Sequence, residues 1–215
     1  MKEKRLSILG DSISTYTGVS NDEDTNATLL MNPCFYRPPF PKEKTYWYLV
    51  AEELGLTLCT NNSWSGGNLS GRDDPDSGVN RADFLSTDSG EEPDVVILFM
   101  GTNDLGRGVA ADVFHEDYRL ALSKIRARHP KAEICCVNIP DRTPQLRARA
   151  AAMNKAIDDA AASLGSGCYV ADLFGSKLRD DVYYMNTVDG LHPDEDGMRM
   201  IAEIIVEAIR KHQNN

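Results

Sequence analysis

The fold is decided near the start of the chain by the stretch LSILGDSIS, residues 6–14. Its first four residues form an apolar run that predicts a buried strand. The run ends at Gly10-Asp11-Ser12, a small polar turn of the kind that joins a parallel strand to a helix. Ligands bind beyond the carboxyl ends of strands in open α/β sheets, so a serine hydroxyl held there is a candidate nucleophile if a base lies beside it. The same serine could instead cap the following helix.

Outward from this stretch, apolar runs and amphipathic segments alternate along the chain. Further strands are predicted over 56–62, 93–100, 132–138 and 168–173, with helices over 45–54, 112–129, 144–164 and 197–211 and loops over 72–80, 101–104 and 186–196. The run Pro93–Met100 is apolar without alternation, as expected for a central parallel strand covered on both faces. This order predicts an α/β fold with a parallel sheet. No repeat or linker interrupts residues 1–215, so one domain is expected.

The composition is that of an acidic globular protein. The chain has 215 residues, 41% of them hydrophobic, and a formal net charge of −10, which disfavours nucleic acid and anionic membrane surfaces as partners. No run approaches the roughly 20 apolar residues of a membrane span, and no signal-peptide pattern is present, so a cytoplasmic location is expected. The five cysteines lack metal-ligand spacing and are interpreted as reduced thiols. The acidic run at residues 73–78 does not match an EF-hand loop, and no metal site is predicted.

A second candidate motif, VDGLHP, occupies residues 188–193. Asp189 precedes His192 by three residues across a glycine, so its carboxylate can turn back to the imidazole. A carboxylate in that position can hold a histidine in one tautomer and stabilise its protonated form. The alternative is a surface aspartate beside an ordinary loop histidine.

Four short blocks follow one another in order, each at a predicted strand end or in the last loop. They are Gly10-Asp11-Ser12, Ser65-Gly66, Gly101-Thr102-Asn103-Asp104 and Asp189-x-x-His192. Together they resemble the SGNH hydrolases, also called the GDSL-type esterase/lipase superfamily, and the resemblance covers nearly the whole chain. Ile13 stands where that family usually has leucine, a change that touches no catalytic atom. The resemblance implies a three-layer α/β/α sandwich on a five-stranded parallel sheet, like flavodoxin.

The resemblance also implies a role for each residue. Ser12 would be the nucleophile, His192 its base and Asp189 the group that orients His192. Backbone N–H groups of Ser12 and Gly66 and the side-chain amide of Asn103 would form the oxyanion hole. Gly66 is preferred over the adjacent glycine because Ser63-x-Ser65-Gly66 matches the family's Ser-x-Ser-Gly form. No metal or cofactor is implied.

The expected substrate is a small-molecule carboxylic ester with a short acyl or acetyl group. Trp64 and Tyr36 are the candidate substrate-binding side chains, and Tyr36 belongs to a long loop over 15–44 that either covers the site or packs on itself. Aromatic rings of this kind could stack on a sugar, so a carbohydrate O-acetyl esterase is one alternative. A non-catalytic ligand-binding protein on the same fold is another. The sequence leaves the oligomeric state open.

Overall fold

The structure is a computed structural model that describes residues 3–16, 40–140, 143–178 and 182–214. The strands are β1 (Arg5–Gly10), β2 (Thr57–Ser63), β3 (Val95–Phe99), β4 (Glu133–Val137) and β5 (Cys168–Ala171). The helices are α1 (Tyr46–Leu54), α2 (Gly78–Arg81), α3 (Thr102–Arg107), α4 (Ala111–Arg128), α5 (Pro144–Leu164), α6 (Val182–Met185) and α7 (Glu195–Gln213). Short 3-10 turns occupy Ser12–Ser14 and Lys42–Lys44. Most of the loop 15–44, including Tyr36, lies outside the described residues.

The five strands form one parallel sheet in the order β2-β1-β3-β4-β5. This is the strand order of flavodoxin-like sheets, in which ligands bind where the order reverses. Here the reversal falls between β1 and β3, since the chain goes from β1 outward to β2 and then returns to the other side. The predicted five-stranded parallel sheet is therefore confirmed, and its switch point lies directly beyond Gly10 and Phe99.

Both faces of the sheet are covered. Alternate residues of β3 point in opposite directions, so Val95 and Ile97 join a core with α1 and α7, whereas Val96 and Leu98 join a core with α4 and α5. All four side chains are buried. This two-sided burial explains the uninterrupted apolar run of the central strand and confirms the three-layer α/β/α arrangement. Within the described ranges, no helix has the length and apolar character needed to cross a membrane.

The differences from the sequence prediction lie at loops that prove to be partly helical. Residues 72–80 include the start of α2, and the predicted turn 101–104 includes the start of α3, so Asn103 stands on a helix. The last helix begins at Glu195, inside the predicted loop 186–196, because the Asp194 side chain accepts a hydrogen bond from the N–H of Gly197 and caps it.

Candidate active site

The turn after β1 carries Ser12 to the carboxyl edge of the sheet. Asp11 is the N-cap of this 3-10 turn, because its Oδ1 accepts a hydrogen bond from the N–H of Ile13 at 3.0 Å. The capping role suggested for Ser12 therefore falls to its neighbour, and the Ser12 hydroxyl is directed elsewhere. A Cβ atom on Gly10 would overlap the side chains of Ser14 and Ser63, so only glycine fits where β1 passes into the turn.

The structure brings Ser12, His192 and Asp189 into contact. Ser12 Oγ lies 2.8 Å from His192 Nε2, and His192 Nδ1 lies 2.9 Å from Asp189 Oδ2. Ser12 and His192 are both buried, with 5% and 3% of their surface exposed. Nδ1 donates to the carboxylate, which leaves the lone pair of Nε2 facing the serine hydroxyl. The arrangement has the connectivity of a nucleophile, a base and an orienting carboxylate.

The loop before α7 holds Asp189 in its ionised form against the imidazole. Its Oδ1 accepts hydrogen bonds from the backbone N–H groups of Leu191 and His192 at 3.0 and 2.8 Å. Partial burial acts to raise the pKa of Asp189, but the hydrogen bonds from His192 and Leu191 outweigh burial and lower it. Gly190 has a φ of 80°, a conformation that favours glycine, and its N–H donates to Thr187 Oγ1 at 2.8 Å.

The loop after β2 presents two adjacent glycines that differ in what their N–H groups do. The Gly67 N–H donates to the carbonyl of Trp64 at 3.0 Å. The Gly66 N–H makes no hydrogen bond within the described part of the chain. Gly66 has a φ of 77°, and the space where its Cβ would lie is open except for Arg107 Nη2 at 3.7 Å. Of the two, Gly66 has the N–H group that remains for an incoming oxygen.

Asn103 reaches the same crevice from the first turn of α3. Its Nδ2 donates to the carbonyl of Gly67 at 3.0 Å and lies 3.3 Å from Asp11 Oδ2. Both contacts connect Asn103 to the loops that carry Gly66 and Ser12. Trp64 is partly buried two residues before Gly66, and its backbone N–H donates to the carbonyl of Gly10 at 3.2 Å. Tyr36, the other predicted substrate-binding residue, lies outside the described residues.

Three buried charged residues beneath this edge were not singled out from the sequence. Arg81 donates to the carbonyls of Gly10 and Asn62 at 3.1 and 2.6 Å, and burial lowers its pKa to about 10. Burial raises the pKa of Asp11 to about 7, against the opposing effects of the Ile13 N–H and the Arg81 charge. No short-range pattern could reveal the contacts of Arg81, since its partners Gly10 and Asn62 lie 71 and 19 positions away in the sequence.

The third buried charge, Asp104, connects α3 to the loop after Gly66. Its two carboxylate oxygens accept hydrogen bonds from the N–H groups of Leu69 and Ser70 at 2.8 and 2.9 Å. Burial raises the pKa of Asp104, and the two N–H groups act in the opposite direction. Among the described residues, no group of three or more His, Cys, Asp or Glu side chains is placed to hold a metal ion.

Known structures with the same fold span several esterase types. A structure from Bacteroides uniformis ATCC 8492, described as a GDSL-like lipase, aligns with a TM-score of 0.70 and 24% identity over 97% of this chain and 96% of that one. A carbohydrate esterase family 2 enzyme with a carbohydrate-binding domain, from Corynascus thermopiles, aligns with a TM-score of 0.72 and 19% identity over 100% of this chain and 68% of that one. A family two carbohydrate esterase from Clostridium thermocellum in complex with cellohexaose aligns with a TM-score of 0.71 and 20% identity over 99% of this chain and 65% of that one.

At these identities the structural likeness concerns the fold alone. No curated protein matches this sequence significantly. The model of the GDSL-like lipase/acylhydrolase family, however, matches residues 8–200, a span that runs from β1 into α7 and contains all four sequence blocks. On that match, together with the strand order, the chain belongs to the GDSL-like lipase/acylhydrolase family of hydrolytic enzymes.

Proposed function

We propose that this esterase hydrolyses small carboxylic esters with short acyl groups through a covalent acyl-serine intermediate. The observation that carries the proposal is the continuous contact from Asp189 through His192 to Ser12, at 2.9 and 2.8 Å. A serine hydroxyl is a weak nucleophile until a base accepts its proton, and a neutral imidazole at hydrogen-bond distance is such a base.

In the proposed first step, Ser12 Oγ attacks the ester carbonyl carbon while His192 Nε2 accepts the hydroxyl proton. The bond from the carbonyl carbon to the alcohol oxygen then breaks, and the alcohol leaves with the proton from His192. In the second step, water attacks the acyl-serine and gives a proton to His192. Ser12 takes that proton back as the carboxylic acid leaves. Asp189 stabilises the imidazolium present during both steps.

The oxyanion formed by each attack needs donors that are already in place. We assign this role to the N–H groups of Ser12 and Gly66 and to the amide of Asn103. The free N–H of Gly66 supports the assignment, as does the absence of a side chain there. The Asn103 amide has two present acceptors, at 3.0 Å on Gly67 and 3.3 Å on Asp11. To donate to an oxyanion it must give up one of them, and the contact with Asp11 is the longer.

The proposed preference for short acyl groups rests on Trp64, which stands two residues before Gly66 and is partly exposed. A large rigid ring at the mouth of a small site limits the acyl chain while offering a flat surface to the alcohol. The same ring, and the likeness to carbohydrate esterases of the same fold, favour acetylated sugars as a second candidate substrate class.

A series of aryl esters from acetyl to palmitoyl, assayed beside acetylated oligosaccharides, tests this proposal. We expect kcat/KM to be highest between acetyl and butyryl and to fall for longer chains. Trp64→Ala should reduce that selectivity. A maximum at long chains, with activation at a lipid interface, would contradict the short-acyl proposal. Deacetylation of sugars with a higher kcat/KM than that of aryl acetates would favour the carbohydrate esterase.

A further inference from the structure

An arginine side chain borders the proposed oxyanion glycine. Arg107 is the last residue of α3, and its Nη1 donates to the carbonyl of Gly66 at 2.7 Å and to the side chain of Asn68. Its Nη2 would lie 3.7 Å from a Cβ on Gly66, so the guanidinium flanks the space that the missing side chain leaves open. The Arg107 side chain is exposed to solvent. A positive charge is therefore held beside the crevice in which the ester would bind.

This charge has no carboxylate partner. Within the described part of the chain, no Asp or Glu oxygen lies within 4.0 Å of Arg107, and both of its hydrogen-bond acceptors are neutral. Several other exposed arginines are paired with carboxylates, for example Arg199 with Asp196 at 2.8 Å and Arg210 with Glu53 at 2.6 Å. The contrast is notable in a chain with 33 acidic and 23 basic residues. An uncompensated guanidinium at this place remains available to an anion.

A second arginine adds to the positive potential at the same end of α3. Arg149 Nη2 donates to the carbonyl of Leu105 at 2.7 Å, and it too has no carboxylate partner among the described residues. It would lie 3.5 Å from a Cβ on Gly108, the residue that ends α3. A helix of six residues has a weak macrodipole, so the dipole alone does not account for two cations at its end.

We propose that Arg107 selects esters that carry an anionic group, a carboxylate in particular, close to the reacting carbonyl. This inference rests on the proposed function, because it concerns the substrate of the same site. Arginine suits the task, since its guanidinium stays charged and keeps donors free after Nη1 is engaged. A charged contact with an exposed guanidinium adds up to about fivefold to binding. It would also offset the repulsion that a protein of net charge −10 exerts on an anionic substrate.

The test compares esters that differ only in charge. On the alcohol side the pair is 4-acetoxybenzoate and the neutral 4-acetoxybenzamide; on the acyl side it is the phenyl monoester of adipic acid and phenyl hexanoate. For each variant the quantity of interest is the ratio of kcat/KM for the anionic ester to that for its neutral partner. A ratio cancels any general loss of activity, and the two pairs distinguish which side of the ester carries the anion.

Three variants separate charge from position. Arg107→Gln removes the charge but keeps an amide donor for the Gly66 carbonyl, whereas Arg107→Lys keeps the charge. Arg210→Gln is the control, because it removes the same charge far from the site. Arg210 lies about 22 Å along α7 from Glu195, the residue at which that helix begins. We expect the ratio for at least one pair to fall roughly fivefold in Arg107→Gln, to be largely kept in Arg107→Lys and to be unchanged in Arg210→Gln.

Two outcomes would overturn the inference alone. One is an equal fall for anionic and neutral esters in Arg107→Gln, which would make Arg107 only a support for the Gly66 loop. The other is a kcat/KM in Arg107→Gln that equals the wild-type value for both the anionic and the neutral ester of each pair. Failure of the wild-type protein to hydrolyse any of the four esters would overturn the proposed function and this inference with it.

Discussion

At the scale of the residue, the fold raises the pKa of one carboxyl group directly beside the proposed nucleophile, that of Asp11. It is fully enclosed next to Ser12, with Asn103 Nδ2 at 3.3 Å and the Ile13 N–H at 3.0 Å. Burial raises its pKa to about 7, although the Ile13 N–H and the charge of Arg81 act to lower it. Near neutral pH this group therefore exists in both protonation states beside the proposed oxyanion donors.

The raised pKa of Asp11 predicts how the free energy of unfolding depends on pH. A pKa that is higher in the folded than in the unfolded protein means that the folded state binds the proton more tightly. Protonated Asp11 contributes its full stabilisation below pH 3.8, the pKa of the unfolded state. That stabilisation is lost as the pH rises to about 7, the pKa of the folded state. Relative to Asp11→Asn, which does not titrate, the wild-type protein should lose roughly 2 to 3 kcal/mol between pH 5 and pH 8.

Urea unfolding of both proteins at the two pH values measures this difference, and titrations elsewhere in the chain cancel because both share them. If the difference in free energy of unfolding between wild type and Asp11→Asn were the same at pH 5 and pH 8, Asp11 would have an ordinary pKa. Asp11→Glu is unsuitable as a control, since its longer side chain would have to fit a fully buried space.

Individual residues were foreseen from sequence only where a local motif carried them. Ser12 and the Asp189–His192 pair occur in short blocks whose spacing suggests their chemistry. Asp104 stood inside a quoted block without a role, because its hydrogen-bond partners, Leu69 and Ser70, are more than 30 positions away. Arg107 is an unremarkable helix-end arginine until the loop after β2 is placed against it.

At the scale of the element, α3 and the loop after β2 act as one unit. Asp104 joins them through the N–H groups of Leu69 and Ser70, and Asn103 joins them again through the carbonyl of Gly67. The helix therefore positions the amide of Asn103 relative to the N–H of Gly66. We therefore expect the geometry of the proposed oxyanion hole to depend on this connection.

Asp104→Asn tests that connection. Asparagine has one acceptor where aspartate has two, so a buried N–H of Leu69 or Ser70 loses its partner and faces another donor. We expect the free energy of unfolding to fall by about 1 to 3 kcal/mol. We also expect kcat to fall more than KM changes, because the oxyanion donors act mainly in the transition state.

Asp88→Asn is the matched control, since Asp88 is exposed and the same change there should alter neither quantity. Full stability and full kcat in Asp104→Asn would show that the loop and the helix are held together by other contacts.

The elements themselves were largely predictable, for a physical reason. Strands buried on both faces and amphipathic helices have strong local signals, and α5 has the predicted bounds 144–164. The short helix α2 was missed because Asp, Pro, Ser and Gly dominate the residues before it, and these favour turns. It is stabilised by contacts with residues outside the helix. The Gly78 N–H donates to the Asn68 carbonyl at 2.8 Å, and the Arg81 side chain is buried.

At the scale of the whole molecule, the parallel sheet brings the two ends of the chain together. Ser12 follows the first strand and His192 precedes the last helix, 180 positions later, and their side chains lie 2.8 Å apart. Because all five strands are parallel, their carboxyl ends lie on one edge of the sheet, where the four sequence blocks meet. We propose that Ser12 is activated at this meeting point for attack on an ester.

The most direct test is the kcat/KM of Ser12→Ala on an aryl acetate, compared with the wild type and with Ser14→Ala. Ser14 lies in the same turn, but its hydroxyl bonds to Tyr46 at 2.7 Å, away from His192. We predict a loss of at least about 10⁴-fold in Ser12→Ala, with its thermal unfolding nearly unchanged, and substantial activity in Ser14→Ala. Wild-type activity in a folded Ser12→Ala protein would contradict the assignment of Ser12 as the nucleophile.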